Sequence, residues 1–307
     1  MTIWVLSLIA LCTIVPPFLA EAMRRRMDET ARYDAPGRFA ALPQGETHFQ
    51  WLGPKDGPVA VCVHGLTTPS YVWDPIAEHL AQHGFRVLTY DLYGRGFSDR
   101  AKGKQDSAFF TTQLNALLAD QGIDQKFHLF GYSMGGAIAT AFGGRHPEKL
   151  ERLCIIAPAG YGDDLGPMAR FASRTGIFGY WYMLVFYGRS LRRSINAERQ
   201  LLSAIPDIFD RQIEETHVRG FHRAVWSSLR GIMTENLEPA QKVIEGSRVP
   251  TLAIWAEKDD VIPLTGKDLL VRWNRNAENV VIKDAQHTVA YTDVEEVTAA
   301  IDRFLAD

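Results

Sequence analysis

The sequence predicts an α/β architecture: a mostly parallel central sheet with helices on both faces and a helical cap inserted before the penultimate strand. Two observations carry this reading. From about Thr47 to the C-terminus, apolar β-branched runs of strand length alternate with stretches of helical period, the pattern of a parallel sheet covered on both faces. The rhythm breaks once, between about Tyr161 and Val249, where the chain is helical and aromatic-rich with no strand-like run. The predicted division is an N-terminal segment (1–22), a linker (23–45), a core (46–160 and 247–307) and a cap (161–246). With 307 residues, 46% hydrophobic and 22% charged, the chain can bury a large core.

The N-terminal stretch "TIWVLSLIALCTIVPPFLA" carries no charge from Thr2 to Ala20, about the length of a membrane-crossing helix. Arg24, Arg25 and Arg26 follow, and no Lys or Arg precedes, the reverse of a signal peptide's charge order. By the positive-inside rule this predicts a single-pass anchor through residues 2–20 with the folded body on the cytoplasmic side. The alternative is a cleaved signal, with Ala20-Glu21-Ala22 as the cleavage site and a secreted or periplasmic product. Pro16 and Pro17 weaken a continuous helix. The next stretch, containing "RRRMDETARYDAPGRF", is polar and predicts a short helix plus linker.

The predicted strands are "VAVCVHG" (59–65), "RVLTYDL" (86–92), "FHLFGYS" (127–133), "RLCIIAP" (152–158), "TLAIWAE" (251–257) and "NVVIKDA" (279–285). Between them lie "VWDPIAEHLAQHG", "SAFFTTQLNALLADQG" and "GGAIATAFGGRHPEKL", and "DVEEVTAAIDRFLAD" closes the chain. Cys62 and Cys154 fall inside apolar runs as buried thiols, and the three cysteines show neither a disulfide framework nor metal-ligand spacing. A net charge of −3 without a basic stripe gives nucleic-acid binding no support.

The chemistry centres on "GYSMG". A strand precedes Ser133 and a helix opening on small residues follows it, so Gly-x-Ser-x-Gly here sits at a strand-to-helix turn, a nucleophile elbow. Gly131 and Gly135 allow the sharp turn, and the helix N-terminus directs N–H groups at developing negative charge. A serine hydroxyl needs a base. Of nine histidines, His287 in "DAQHTVAYTD" lies in the loop between the final strand and the last helix, which makes it the candidate general base and acid. A carboxylate must orient that histidine, and "WAEKDDVIP" offers one after the penultimate strand. Asp259 is preferred, with Asp260 as competitor. The oxyanion donors are the N–H of Met134, just after the nucleophile, and that of Leu66 in "HGLTTPSYVWD". His64 is read as a structural hydrogen-bonder beneath that loop.

On "VHGLTTPSYVWD", "YDLYGRGFSD", "GYSMGG", "WAEKDDVIP" and "DAQH", the chain from about Thr47 onward resembles the α/β-hydrolase superfamily. It is most similar to capped esterases and lipases of the monoacylglycerol lipase type. The resemblance implies a serine hydrolase and leaves "DLYGRGFSD" structural or pocket-lining. Dehalogenases and epoxide hydrolases of this fold carry an elbow aspartate, where this chain has Ser133. Ala256 stands where relatives usually have glycine. The expected activity is carboxylic ester hydrolysis through an acyl-enzyme, with no metal or organic cofactor. The cap sequence "IFGYWYMLVFY" predicts an apolar pocket for a small-molecule or lipid ester such as a monoacylglycerol or lysolipid. A carbon–carbon bond hydrolase, a cofactor-free perhydrolase or a ligand-sensing hydrolase fold would use the same residues.

Overall fold

A computed structural model describes residues 2–162 and 166–306. One eight-stranded sheet contains β1 (Arg38–Leu42), β2 (Gly45–Leu52), β3 (Val59–Val63), β4 (Arg86–Tyr90), β5 (Phe127–Tyr132), β6 (Leu150–Ile156), β7 (Thr251–Ala256) and β8 (Ala277–Ile282). Its spatial order is β1-β2-β4-β3-β5-β6-β7-β8. The β1–β2 and β2–β4 pairs are antiparallel, and every pair from β4 to β8 is parallel. The six parallel strands coincide with the six predicted runs. The two antiparallel strands are additional, and β1 lies inside the stretch expected to be a linker.

The helices before the nucleophile are α1 (Thr2–Met23), α2 (Glu29–Arg32), α3 (Asp74–Gln82) and α4 (Ser107–Asp120). After it come α5 (Met134–Arg145), α6 (Gly166–Arg174), α7 (Gly176–Tyr182), α8 (Gly188–Glu198), α9 (Ile208–Glu215), α10 (Phe221–Leu229) and α11 (Glu238–Gly246). The C-terminal part carries α12 (Gly266–Trp273), α13 (Val289–Thr292) and α14 (Val294–Ala306).

The strand β3 shows why the central runs are apolar throughout. Successive side chains of a strand point to opposite faces. Val59, Val61 and Val63 pack into one layer with Phe110 and Leu114 of α4 and Ile138 of α5. Ala60 and Cys62 pack into the other with Ile76 and Leu80 of α3 and Ile301 of α14. Both faces are covered, so neither parity of the strand can be polar.

Helices α6 to α10 fill the interval between β6 and β7, where a cap was predicted. A π-helical stretch, Met183–Tyr187, joins α7 to α8 within "YWYMLVFYG". Helix α11 closes the same interval but packs on α5: a Cβ on Gly144 would come within 2.5 Å of the Ala240 side chain.

The N-terminal segment departs from the expected anchor. Among the described residues no helix is long and apolar enough to cross a membrane. Helix α1 carries Pro16 and Pro17, and its C-terminal half docks on the chain's own helices. The Phe18 ring meets Tyr180 edge-on at 5.9 Å, and Trp181 Nε1 donates to the Thr13 carbonyl at 3.3 Å. Glu21 is 7% exposed and accepts a bond from the Gly220 N–H at 2.7 Å. Arg24, read from sequence as an orientation signal, pairs with Glu21 at 2.9 Å and donates to the Thr216 carbonyl. The Arg219 N–H donates to the Arg25 carbonyl at 2.8 Å. The single-pass topology, its cytoplasmic body and the membrane as a partner through residues 2–20 are thereby corrected. Glu21, Arg24 and the Arg25 carbonyl thus bond to Gly220, Thr216 and Arg219.

Candidate active site

Strand β5 ends at Tyr132 and α5 begins at Met134, so the chain reverses direction at Ser133 alone. That serine has φ 54° and ψ −121°, a backbone conformation costly for a residue with a side chain. Three bonds hold it there. Its N–H donates to the Ile156 carbonyl at 2.9 Å, and its carbonyl accepts from Gly136 at 2.8 Å and Ala159 at 3.0 Å. The flanking glycines are required by close approach: a Cβ on Gly131 would lie 2.4 Å from the Gly135 carbonyl oxygen, and one on Gly135 would lie 2.0 Å from that of Val63. The turn thus raises the Ser133 side chain above the sheet edge, where the residue remains 8% exposed.

His287 reaches Ser133 from the loop between β8 and α13. Its Nε2 lies 3.0 Å from Ser133 Oγ, and its Nδ1 lies 2.8 Å from Asp259 Oδ2. Asp259 follows β7, and its other oxygen accepts the N–H groups of Val261 at 2.9 Å and Ile262 at 2.8 Å. Those bonds, and a side chain only 1% exposed, fix the carboxylate. An ionised carboxylate can only accept, so the proton sits on Nδ1 and Nε2 is free to accept from the serine hydroxyl. Of the two adjacent aspartates, Asp259 is the one that bonds His287. Asp260 is exposed at the rim.

The loop after β3 faces the serine. A Cβ on Gly65 would lie 3.3 Å from Ser133 Cβ, so a side chain there would crowd the hydroxyl. His64 Nδ1 bonds the Gly65 carbonyl at 2.9 Å, and its Nε2 accepts the Leu92 N–H at 2.9 Å. Burial pushes this imidazole down to about 4, so it is neutral and has no vacancy for a base's role. Because the Gly65–Leu66 peptide is trans, anchoring its carbonyl turns the Leu66 N–H the opposite way. Among the described residues no acceptor takes that N–H. Met134 begins α5, and a first-turn N–H has no intrahelical partner.

Three supporting residues escaped the sequence reading. Tyr132 donates its hydroxyl to the His287 carbonyl at 2.6 Å and stacks on the imidazole with centroids 5.6 Å apart. It adjoins the nucleophile in sequence, but nothing there relates it to residue 287. Arg95, in the "DLYGRGFSD" segment read as structural or pocket-lining, is fully buried and donates from Nε to the Leu66 carbonyl at 3.0 Å. Burial pushes this guanidinium down to about 9. The third is Glu198 at the end of α8, which lines the cavity over Ser133. Burial raises its carboxyl, and the proximity of His287 opposes that rise.

That cavity holds about 480 Å³ and is walled by Leu66, Leu191, Ile195, Leu201, Met233 and Val261, with Ser133 and His287 at its base. The arrangement can pass the serine proton to an oriented imidazole.

Comparison with known proteins agrees with this architecture. The chain is 26% identical over 306 residues to the dihydrolipoyllysine-residue acetyltransferase component of the acetoin cleaving system of Pseudomonas putida, covering 95% of this chain and 75% of that protein. It is 24% identical over 252 residues to Lipase 1 of Psychrobacter immobilis, covering 78% and 74%. A thermophilic esterase from Thermogutta terrifontis superposes with a TM-score of 0.68 at 22% identity, over 89% of this chain and 98% of that one. The family profile described as the alpha/beta hydrolase fold matches residues 58–294, and the chain belongs to that family.

Proposed function

We propose that this protein is a serine ester hydrolase acting through an acyl-enzyme. The observation that carries the reading is the continuous contact from Ser133 to His287 to Asp259 at the floor of a cavity with aliphatic walls. In this mechanism His287 takes the proton as Ser133 Oγ attacks the acyl carbonyl. The resulting oxyanion is held by the N–H groups of Leu66 and Met134, and the imidazolium is held by Asp259. The imidazolium then returns the proton to the departing alcohol, and water activated by His287 cleaves the acyl-serine. Lipase and esterase relatives support ester hydrolysis as the reaction class.

The substrate proposed is an ester of an apolar acyl chain, such as a monoacylglycerol or lysolipid. The aliphatic walls formed by Leu191, Ile195 and Leu201 from the α8 region support it, because an apolar pocket gains free energy from each buried methylene, about 0.8 kcal/mol. Hydrolysis of p-nitrophenyl esters of increasing chain length tests this. The expected profile rises from acetate to a medium chain and is abolished in Ser133→Ala. A profile that is highest for acetate contradicts the apolar-acyl reading, and activity surviving Ser133→Ala contradicts the mechanism.

A further inference from the structure

The charge lining the catalytic cavity is one-sided. Among the described residues that line the cavity holding Ser133 and His287, the charged side chains are Glu198 and Asp260, with no lysine or arginine. A second, larger cavity of about 830 Å³, bounded by α1, the β4–α4 loop and α10, gathers Arg26, Arg100, Lys102, Arg219 and Arg223 against Glu21 and Asp99. These two cavities therefore differ in the sign that predominates, and the one that holds the nucleophile is the acidic one.

Both Glu198 and Asp260 share the cavity lining with His287. Asp260 adjoins Asp259, whose carboxylate bonds His287 at 2.8 Å. Glu198 is half-buried at the cavity wall and senses both His287 and Asp260 electrostatically. In the reaction proposed above, His287 hands its proton to the leaving oxygen, so the alcohol half of the ester lies on the His287 side. We propose that Glu198 and Asp260 make the site selective for the charge of the leaving alcohol, accepting neutral or cationic alcohols and rejecting those that carry a carboxylate. This inference rests on the ester-hydrolase reading.

The test uses three hexanoate esters followed by acid release at constant pH: of choline (cationic), of 3,3-dimethylbutanol (neutral, the same shape) and of 4-hydroxybutanoate (anionic). The expected kcat/KM falls in that order, with the anionic ester at least tenfold below the neutral one, about 1.4 kcal/mol. In a Glu198→Gln, Asp260→Asn double variant the anionic-to-neutral ratio, read within the same protein, rises to within about twofold. Salt at 0.5 M narrows the wild-type gap, as expected for a screened charge effect. Equal turnover of the neutral and anionic esters by the wild type, or a ratio unmoved in the double variant, overturns this inference and leaves ester hydrolysis standing. Failure to cleave any of the three overturns the ester-hydrolase reading and this inference with it.

Discussion

Asp259 has both oxygens committed, one to His287 and the other to two backbone N–H groups, so its replacement has separable consequences. Asp259→Asn keeps the shape but presents a donor to Nδ1, which favours the wrong tautomer of His287. The expected loss in kcat is on the order of 10⁴-fold with the fold intact, measured by ester hydrolysis alongside circular dichroism. A second carboxylate, Asp91, is structural. It accepts from His48 Nδ1 at 2.8 Å, Ser70 N–H at 2.9 Å and Phe97 N–H at 2.9 Å, tying β2 to the loops around the site. Burial alone would raise the Asp91 carboxyl, but the bond and charge of His48 outweigh it and hold the group well below the usual range. For His48, burial is likewise outweighed by Asp91, and the imidazole is raised. The depressed Asp91 contributes stability above its unfolded value of about 3.9 and loses it as pH falls toward the folded value. The raised His48 contributes below about 6.5 and loses it as pH rises through its folded value. The pair is therefore worth most between about pH 4 and 6.5. Urea melts across pH are expected to show a steeper acid loss in wild type than in Asp91→Asn, which loses about 3–5 kcal/mol near pH 6. Parallel pH profiles would contradict this account.

Among the elements, the β5–α5 turn leaves the least freedom. Gly135→Ala would drive a Cβ into the Val63 carbonyl, a backbone group that cannot yield without moving β3. The expected result is loss of soluble protein or a fall of at least 3 kcal/mol in unfolding free energy, read by denaturant titration. How much of each element was legible follows from where its partners lie. The six parallel strands announce themselves because burial on both faces makes them apolar without interruption. Strand β1, "RFAAL", and strand β2, "GETHFQWL", have mixed burial at the sheet edge and so offer no unbroken run. The elbow was legible because its chemistry is local, with strand, serine and glycines adjacent in sequence. Tyr132 and Arg95 act on residues 155 and 29 positions away, and only the fold shows those contacts. The π-helical stretch 183–187 is hidden for another reason. Its "MLVFY" is as apolar as an α-helical turn, and sequence periodicity does not distinguish the two.

Over the whole molecule, the N-terminal segment shows what hydropathy alone leaves out. Residues 2–20 are uncharged and read from sequence as a spanning helix, yet Phe18 and Glu21 find partners at Tyr180 and Gly220, far along the chain. Glu21 is the buried anchor of this docking. Its hydrogen bond as a charged group is worth about 1.5–3 kcal/mol, so Glu21→Ala is expected to raise the undocked population roughly ten- to a hundredfold. Limited trypsin digestion at Arg24, Arg25 and Arg26 would then quicken while cleavage elsewhere stays unchanged. Equal digestion rates in the variant and wild type would mean that α1 is held by other contacts. The central claim, that Ser133 is a nucleophile activated by His287, is tested most directly by intact-mass spectrometry after treatment with a fluorophosphonate. The account predicts one adduct per chain, mapped to Ser133, absent in Ser133→Ala and slowed at least a hundredfold in His287→Ala. A folded wild-type protein that takes no adduct, or one labelled at another serine, would contradict it.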